Sequence, residues 1–398
     1  MEKLRKYSDI RVNHTPEVFT RYLYDDIAWG DRLIGILGAR GVGKTTLMLQ
    51  NLKKRFGLSD EALYISLDDF YFTRHTFFDT AELFYQNGGR FLYVDEVHKY
   101  KDWSLELKNV YDIFPDLKIV FSGSSALELD KARGDLSRRA ALYHLHELSF
   151  REYLNLRFQK SWPVYRLDEI LHHHRKLAFQ ITGSLDKSIL PLFNEYLAEG
   201  AYPFVFEVGG RFYDRLANAV NTIIENDLLA IEHLNYYTAY RLRKIIAMVA
   251  DSAPFKVNIS ELSRKADISR DVLLRLMNAL GRANLLMALY TPGAPTGHLT
   301  KPEKLYINNP ALLYALGTNV NKGTVRETFF ANQVILRHQL HAAQQSDFLV
   351  DNRITFEIGG RNKTNRQVKD TVPSYIAADD IESGSGSKIP LWMFGFLY

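Results

Sequence analysis

The chain has 398 residues, 46% of them hydrophobic and 24% charged, the balance of a globular protein able to bury sizeable cores. With 24 Phe and 23 Tyr it does not have the composition of a disordered chain, and the lack of cysteine excludes disulfides, thiolate metal sites and cysteine nucleophiles. Fifty Lys and Arg against 46 Asp and Glu leave a net charge of +4, too small to mark a nucleic-acid binder without knowing where the excess sits.

The length predicts two or three domains. Met1 to Ile10 has no apolar run of the secretory kind, and no apolar stretch approaches the roughly 20 residues needed to cross a bilayer, so the expectation is a cytoplasmic protein with no membrane partner. The apolar segment Ile389–Tyr398 reads as an element docked on the fold.

From Leu33 to Phe121 short apolar runs alternate with helix-like stretches. Arg32–Leu37, Ala62–Leu67, Arg90–Val94 and Leu117–Phe121 read as buried strands, and the intervening patterns predict an α/β core with a parallel sheet. Between the first strand and the helical stretch Lys44–Arg55 stand Gly38, Ala39, Arg40, Gly41, Val42, Gly43, Lys44, Thr45 and Thr46. They fit the phosphate-loop pattern GxxxxGK[ST], whose curled backbone aims N–H groups at phosphate oxygens. Lys44 is expected to reach the β- and γ-phosphates of ATP, and the Thr45 hydroxyl to ligate Mg²⁺.

Phe91-Leu-Tyr-Val-Asp95-Glu96 supplies the acidic strand end such a site requires. Asp95 is the expected second metal-site residue, and Glu96 the base that orients attacking water. The next strand ends Val120-Phe-Ser122-Gly123-Ser124-Ser125. Ser122 and Ser124 both qualify to contact the γ-phosphate, and the sequence does not choose between them. Downstream, Arg133, Arg138 and Arg139 are candidates to stabilise transition-state charge, in cis or from a neighbouring subunit, so an oligomer is a candidate assembly.

Gly38–Thr45, Val94–His98, Phe121–Ser125, Asp135–Arg139 and Leu148–Tyr153 together resemble the prokaryotic AAA-type ATPases that carry a C-terminal DUF4143 domain. Tyr196–Pro203, Lys304–Asn309 and Arg326–Phe330 extend the resemblance over nearly the whole chain. It implies a P-loop NTPase core of the RecA/AAA-like type, a winged helix and a restriction-endonuclease-like C-terminal α/β domain. The expected boundaries are residues 1–149 for the ATPase core, 150–250 for a helical region, 251–300 for the winged-helix-like module and 301–398 for the endonuclease-like domain.

Ile259–Ala266 and Arg270–Leu280 read as helix, turn and helix, with Leu285–Tyr290 as the strand of a wing. Arg270 and Arg275 are then candidates to reach DNA, with Arg264, Lys265 and Arg282 on phosphates. Residues 256–304 hold eight basic residues, Lys256, Lys301 and Lys304 among them, against four acids. That excess of four equals the charge of the whole chain, so a DNA partner is sought there.

Asp347 and Ile354-Thr-Phe-Glu357-Ile-Gly-Gly-Arg361-Asn-Lys363 resemble the acid-bearing hairpin of metal-dependent endonucleases, in which a lysine two positions after the second acid activates water. Gly359 stands at that position. Arg361 and Lys363 are candidate substitutes, Glu327 a candidate upstream acid, and a degenerate fold kept for structure or binding the favoured reading. His172-His-His174 reads as a solvated surface run. The sequence therefore predicts an Mg²⁺-dependent ATPase that moves a winged-helix and C-terminal module. A nucleotide-regulated switch with negligible turnover and a metal-dependent nuclease effector are the alternatives.

Overall fold

Leu33-Ile-Gly-Ile-Leu-Gly38 is apolar or glycine at every position, a pattern suited to a strand covered on both faces, and all six residues of this strand, β1 (Leu33–Gly38), are buried. In the computed structural model of the chain, residues 1–124, 136, 138–228, 236–252, 258–295, 300–364 and 373–398 are described. The chain divides into two units, the first covering Met1–Glu147 and the second beginning at Leu148.

In the first unit an N-terminal helix, α1 (Glu2–Asn13), precedes β1. Then follow α2 (Lys44–Phe56), β2 (Ala62–Ser66), α3 (Phe77–Gln86), β3 (Phe91–Asp95), α4 (Trp103–Ile113), β4 (Lys118–Ser124) and β5 (Ala141–His144). The strands form one sheet in the order β2-β3-β4-β1-β5, with each described pairing parallel. Because the strands are parallel, the loops after β1, β3 and β4 leave from one edge. The register opposes Ser66 to Asp95 and Gly38 to Ser124. Leu63, Leu92, Val94, Leu107, Val110 and Ile119, all fully buried, form the centre of the core on one face of this sheet.

The second unit is helical at first: α5 (Phe150–Phe158), α6 (Leu167–Gly183), α7 (Ile189–Glu199), α8 (Phe212–Thr222) and α9 (Tyr236–Ala250). A pair of short helices, α10 (Ile259–Ala266) and α11 (Arg270–Arg282), is followed by an antiparallel strand pair, β6 (Leu286–Leu289) and β7 (Lys304–Ile307). The left-handed Asp267 turns the chain between the helices, and the Ser269 hydroxyl caps the second. Two further helices, α12 (Pro310–Leu316) and α13 (Lys322–Val334), lead to β8 (Leu340–Ala342), β9 (Phe348–Val350), β10 (Ile354–Gly359), β11 (Ser374–Ala378) and β12 (Lys388–Pro390). These strands form a mixed sheet in chain order, antiparallel from β8 to β10 and parallel from β10 to β12.

Residues 391–396 form a buried 3₁₀ turn, and the Tyr398 carbonyl accepts hydrogen bonds from Ser149 Oγ and Arg151 Nε, both at 2.8 Å, so the apolar tail is docked. The histidine run departs from the sequence expectation. His172 and His173 are exposed, but His174 is buried, on the α6 face that carries Leu167, Ile170, Leu171, Leu177, Ala178 and Ile181. Among the described residues no helix is long and apolar enough to cross a membrane.

Candidate active site

The loop after β1 curls through Gly41 at φ 82° and Gly43 at φ 100°, conformations that favour glycine. Gly43 caps α2, whose first residue is Lys44. The Lys44 side chain is buried, and its Nζ donates to the Gly38 carbonyl at 2.9 Å and the Ala39 carbonyl at 3.0 Å. Val42 is buried, whereas Gly41 and Thr46 are exposed and Arg40 lies half-buried at the cleft wall.

Asp95 ends β3 and is 2% exposed, yet its carboxylate is well satisfied. Oδ2 accepts from the Thr45 hydroxyl at 2.7 Å and from the Tyr64 hydroxyl at 2.7 Å. Oδ1 accepts from the Ser122 hydroxyl and from the Glu96 N–H at 3.1 Å. The same Glu96 N–H reaches Ser122 Oγ at 3.1 Å. Of the two serines the sequence left open, Ser122 is the one whose hydroxyl meets the acidic strand end, while the Ser124 N–H donates to His98 Nδ1 at 3.4 Å. Glu96 leaves the strand at φ 53°, uncommon for a residue with a side chain, and its Oε2 lies 3.3 Å from His98 Nε2.

A cleft of about 610 Å³ opens onto these groups, lined among others by Arg11, Arg40, Thr45, Tyr64, Asp95 and Glu96. Burial, with the Asp95 charge beside it, pushes the Tyr64 phenol far above its ordinary value, so it remains a donor. The hydroxyl of Thr45 and the carboxylate of Asp95, brought together by α2 and β3, are the hard oxygen donors a Mg²⁺ ion takes, and the glycine turns leave the loop backbone open to phosphate. The residues present therefore fit an Mg²⁺–nucleotide ligand.

Three contributors escaped the sequence reading. Tyr64 reaches Asp95 only because β2 pairs with β3. Arg11, from α1, donates to the Tyr64 hydroxyl at 3.4 Å. Arg21, 5% exposed, clamps the Val42 carbonyl of the loop and the carbonyls of His146 and Glu147 at 2.7 and 3.0 Å. No local motif announces any of them. His98 did carry a signal, two positions after Glu96 on the turn that follows the strand.

Arg138 and Arg139 do not converge on the site of their own chain. Arg139 is bound bidentately to Asp112 of α4, at 2.9 and 3.0 Å. Arg138 and Arg139 precede β5, whose Ala141 pairs with Ile34 near the start of β1. They therefore lie at the sheet edge opposite the phosphate loop, on the order of 12 Å away along the strand. Ser125, Arg133, Asp135 and Ser137 lie outside the described residues, as does Lys256.

In the second unit Glu327 on α13, Asp347 before β9 and Glu357 on β10 do approach one another, but through lysines. Lys304 Nζ lies 3.4 Å from Glu327 and 3.6 Å from Asp347 Oδ1, and donates to the Asp347 carbonyl at 3.0 Å. Lys304 is thus turned inward and is not part of an exposed basic surface. Lys363 Nζ pairs with Glu357 at 2.8 Å, and its stem lies within 2.8 Å of where a Cβ on Gly359 would stand. No group of three His, Asp or Glu among the described residues is placed to hold a metal ion. Arg264, Lys265, Arg270 and Arg275 are exposed on α10 and α11, while Arg282 is half-buried and donates to Asn278.

A parallel sheet whose first strand runs through a phosphate loop into a helix, with an acidic strand end beside it, defines the first unit as a P-loop NTPase core of the AAA-like kind. Residues 30–154 match the family model of the AAA domain. Residues 190–323 match a domain of unknown function, DUF8612, which corrects the expected DUF4143. The uncharacterized protein MJ1637 of Methanocaldococcus jannaschii is 26% identical over 287 residues, 69% of this chain; the chain spans 60% of that relative's length. The Aeropyrum pernix ORC1 protein in complex with DNA aligns over 78% of this chain and 91% of its own, at 11% identity and a TM-score of 0.29. AMPPCP-bound DnaA from Aquifex aeolicus aligns over 66% and 85%, at 15% identity and a TM-score of 0.28.

Proposed function

We propose that the first unit is an Mg²⁺-dependent ATPase. The observation that carries the reading is the Asp95 carboxylate, which joins the phosphate-loop Thr45, the β4 Ser122 and the backbone of Glu96 in one hydrogen-bonded centre. Thr45 and Asp95 are the residues that would hold Mg²⁺, whose chemistry when bound is to neutralise phosphate charge. Lys44 and the loop N–H groups bind and orient the phosphates. Ser122 holds Asp95 in place, and Glu96 takes up at its carboxylate the proton that an attacking water gives up. An arginine from a neighbouring copy, Arg138 or Arg133, is the remaining candidate for transition-state charge, because Arg139 is engaged with Asp112 in its own chain.

Phosphate release by wild type, Lys44→Ala and Glu96→Gln, each with Mg²⁺ and with EDTA, tests this. Turnover in wild type that falls at least about a hundredfold in both variants supports it. Wild-type release no faster than Glu96→Gln refutes hydrolysis, and tight nucleotide binding without turnover would leave the switch reading in its place.

For the second unit, the exposed Arg264, Lys265, Arg270 and Arg275 on a helix pair followed by a hairpin favour a winged-helix-like module that binds DNA through phosphates. Its affinity should fall with salt and weaken in Arg270→Ala and Arg275→Ala; salt-independent or unaltered binding opposes it. The C-terminal sheet we read as endonuclease-like in layout, with lysine ammonium groups among its acids. That arrangement favours a structural or binding role over cleavage, and metal-dependent cutting of DNA that is lost in Asp347→Ala would reverse the reading.

A further inference from the structure

We propose that His98 is the positioning residue for the hydrolytic base, a link from the end of β4 to the carboxylate of Glu96. The inference rests on the ATPase reading above and goes beyond it, by naming what aims Glu96.

The geometry fixes the direction of the hydrogen bond between Ser124 and His98. The Ser124 N–H can only donate, and it meets His98 Nδ1 at 3.4 Å. Nδ1 is therefore the lone-pair nitrogen, which leaves the ring N–H at Nε2, and Nε2 approaches Glu96 Oε2 to 3.3 Å. The ring has little freedom to do otherwise. Its side chain is 5% exposed, and it stands on the short 3₁₀ turn Val97–Lys99, anchored by the fully buried Val97. Glu96 needs such a partner. Its left-handed backbone turns it off the strand, and its side chain is 22% exposed at the cleft, where an untethered carboxylate would sample several rotamers.

The second part of the argument is what the imidazole is attached to. Ser124 lies opposite Gly38, the first glycine of the phosphate loop, in the β1–β4 register. Ser122, two residues earlier and hence on the same face of β4, holds Asp95 and the Glu96 N–H. One strand end therefore grips both acids, Asp95 directly and Glu96 through His98. The order follows the logic of a catalytic base oriented by a third group, here with an imidazole as the orienting group.

Two measurements on the 398-residue chain test this, and the first needs no turnover. In protein labelled with ¹⁵N-histidine, the ring signals of His98 are identified by their loss in His98→Gln. They should show protonated Nε2 and unprotonated Nδ1, and the Nε2 signal should move in Glu96→Gln. A ring protonated on Nδ1, or an Nε2 signal indifferent to Glu96→Gln, overturns the proposal.

The second is a kinetic split. His98→Ala should lower kcat roughly ten- to a hundredfold, the scale of a misplacement of about 1 Å at a reacting group. KM for ATP and the Kd of a fluorescent ATP analogue should stay within roughly twofold. His98→Gln, whose side-chain amide can donate to the same carboxylate, should recover most of kcat. Unchanged or raised kcat in His98→Ala, or equal losses in the Ala and Gln variants, overturns the positioning role while leaving an active wild type, and with it the ATPase reading, intact. A wild type without turnover fells the ATPase reading itself, and this role with it.

Discussion

Tyr64→Phe removes one oxygen from the interior of the first unit and leaves the ring in place. Tyr64 is 6% exposed, and its hydroxyl donates to Asp95 Oδ2 at 2.7 Å while Arg11 approaches the same oxygen at 3.4 Å. A hydrogen bond to a charged group contributes about 1.5–3 kcal/mol. Asp95 keeps its donors from Thr45, Ser122 and Glu96, so the lower end of that range, about 1.5–2 kcal/mol, is the expected loss. In a unit the size of Met1–Glu147 this corresponds to a fall in melting temperature of roughly 3–8 °C. Thermal melts followed by circular dichroism measure it. The deficit should be constant across neutral and mildly alkaline pH, because the raised pKa keeps the phenol protonated there. A double-mutant cycle with Asp95→Asn should return a coupling of at least about 1 kcal/mol. Tyr64→Phe melting within about 1 °C of wild type, or a coupling near zero, would show that the buried contact to Asp95 does not act as reasoned.

Other predictions concern single side chains. The His174 ring finds no hydrogen-bond partner among the described residues, and burial, helped by Arg175, holds its pKa below the ordinary value. The unfolded chain protonates before the folded one as pH falls, so wild type should lose stability below about pH 6.5. His174→Leu should be more stable by about 1–3 kcal/mol, with the gap widening from pH 7.5 to 5.5 in urea titrations; a gap that narrows refutes this. Burial raises the Glu327 pKa above the usual carboxylate value, against the pull of Lys304. Its contribution is full below the ordinary pKa and is lost as pH rises through the folded one, so the difference in melting temperature between Glu327→Gln and wild type should shift in the variant's favour as pH rises from 4.5 towards neutral. A pH-independent difference would count against the assignment. Arg139→Ala breaks an ion pair that is 27% and 41% exposed at the sheet edge away from the loop. It should leave kcat for ATP within roughly twofold in a phosphate-release assay, and a loss above tenfold would place the residue at the reaction after all.

The phosphate loop and the acidic strand end were legible because each is a local pattern: their residues lie within a few positions of one another and follow a strand. Tyr64, Arg11 and Arg21 were not, since they reach the site from elements whose adjacency is decided by sheet order and helix docking. Lys304 shows another limit. In a basic segment it reads as one more surface charge, and only its place on β7, facing Glu327 and Asp347, turns it inward. His174 is the opposite case: positions 167, 170, 171, 174, 177, 178 and 181 follow the spacing of a buried helical face, a signal that three consecutive histidines obscured. Arg361 and Lys363 were both open as substitutes for the lysine missing at 359, and no local pattern announced that Lys363 pairs with Glu357 or that Lys304 sits between Glu327 and Asp347.

The first glycine of the loop has a second constraint. A Cβ on Gly38 would stand 2.3 Å from the carbonyl oxygen of Leu145, where the chain continuing from β5 bonds through its Leu145 N–H to Leu37. A side chain there would push the edge strand off the sheet before any nucleotide was involved. Mutational tolerance at 38 therefore reports on assembly of the sheet and tolerance at 43 on the left-handed turn into α2, whereas tolerance at 44 and 45 reports on the proposed phosphate site. A screen scored on folding alone would recover the glycines at 38 and 43 while letting the lysine of the motif drift.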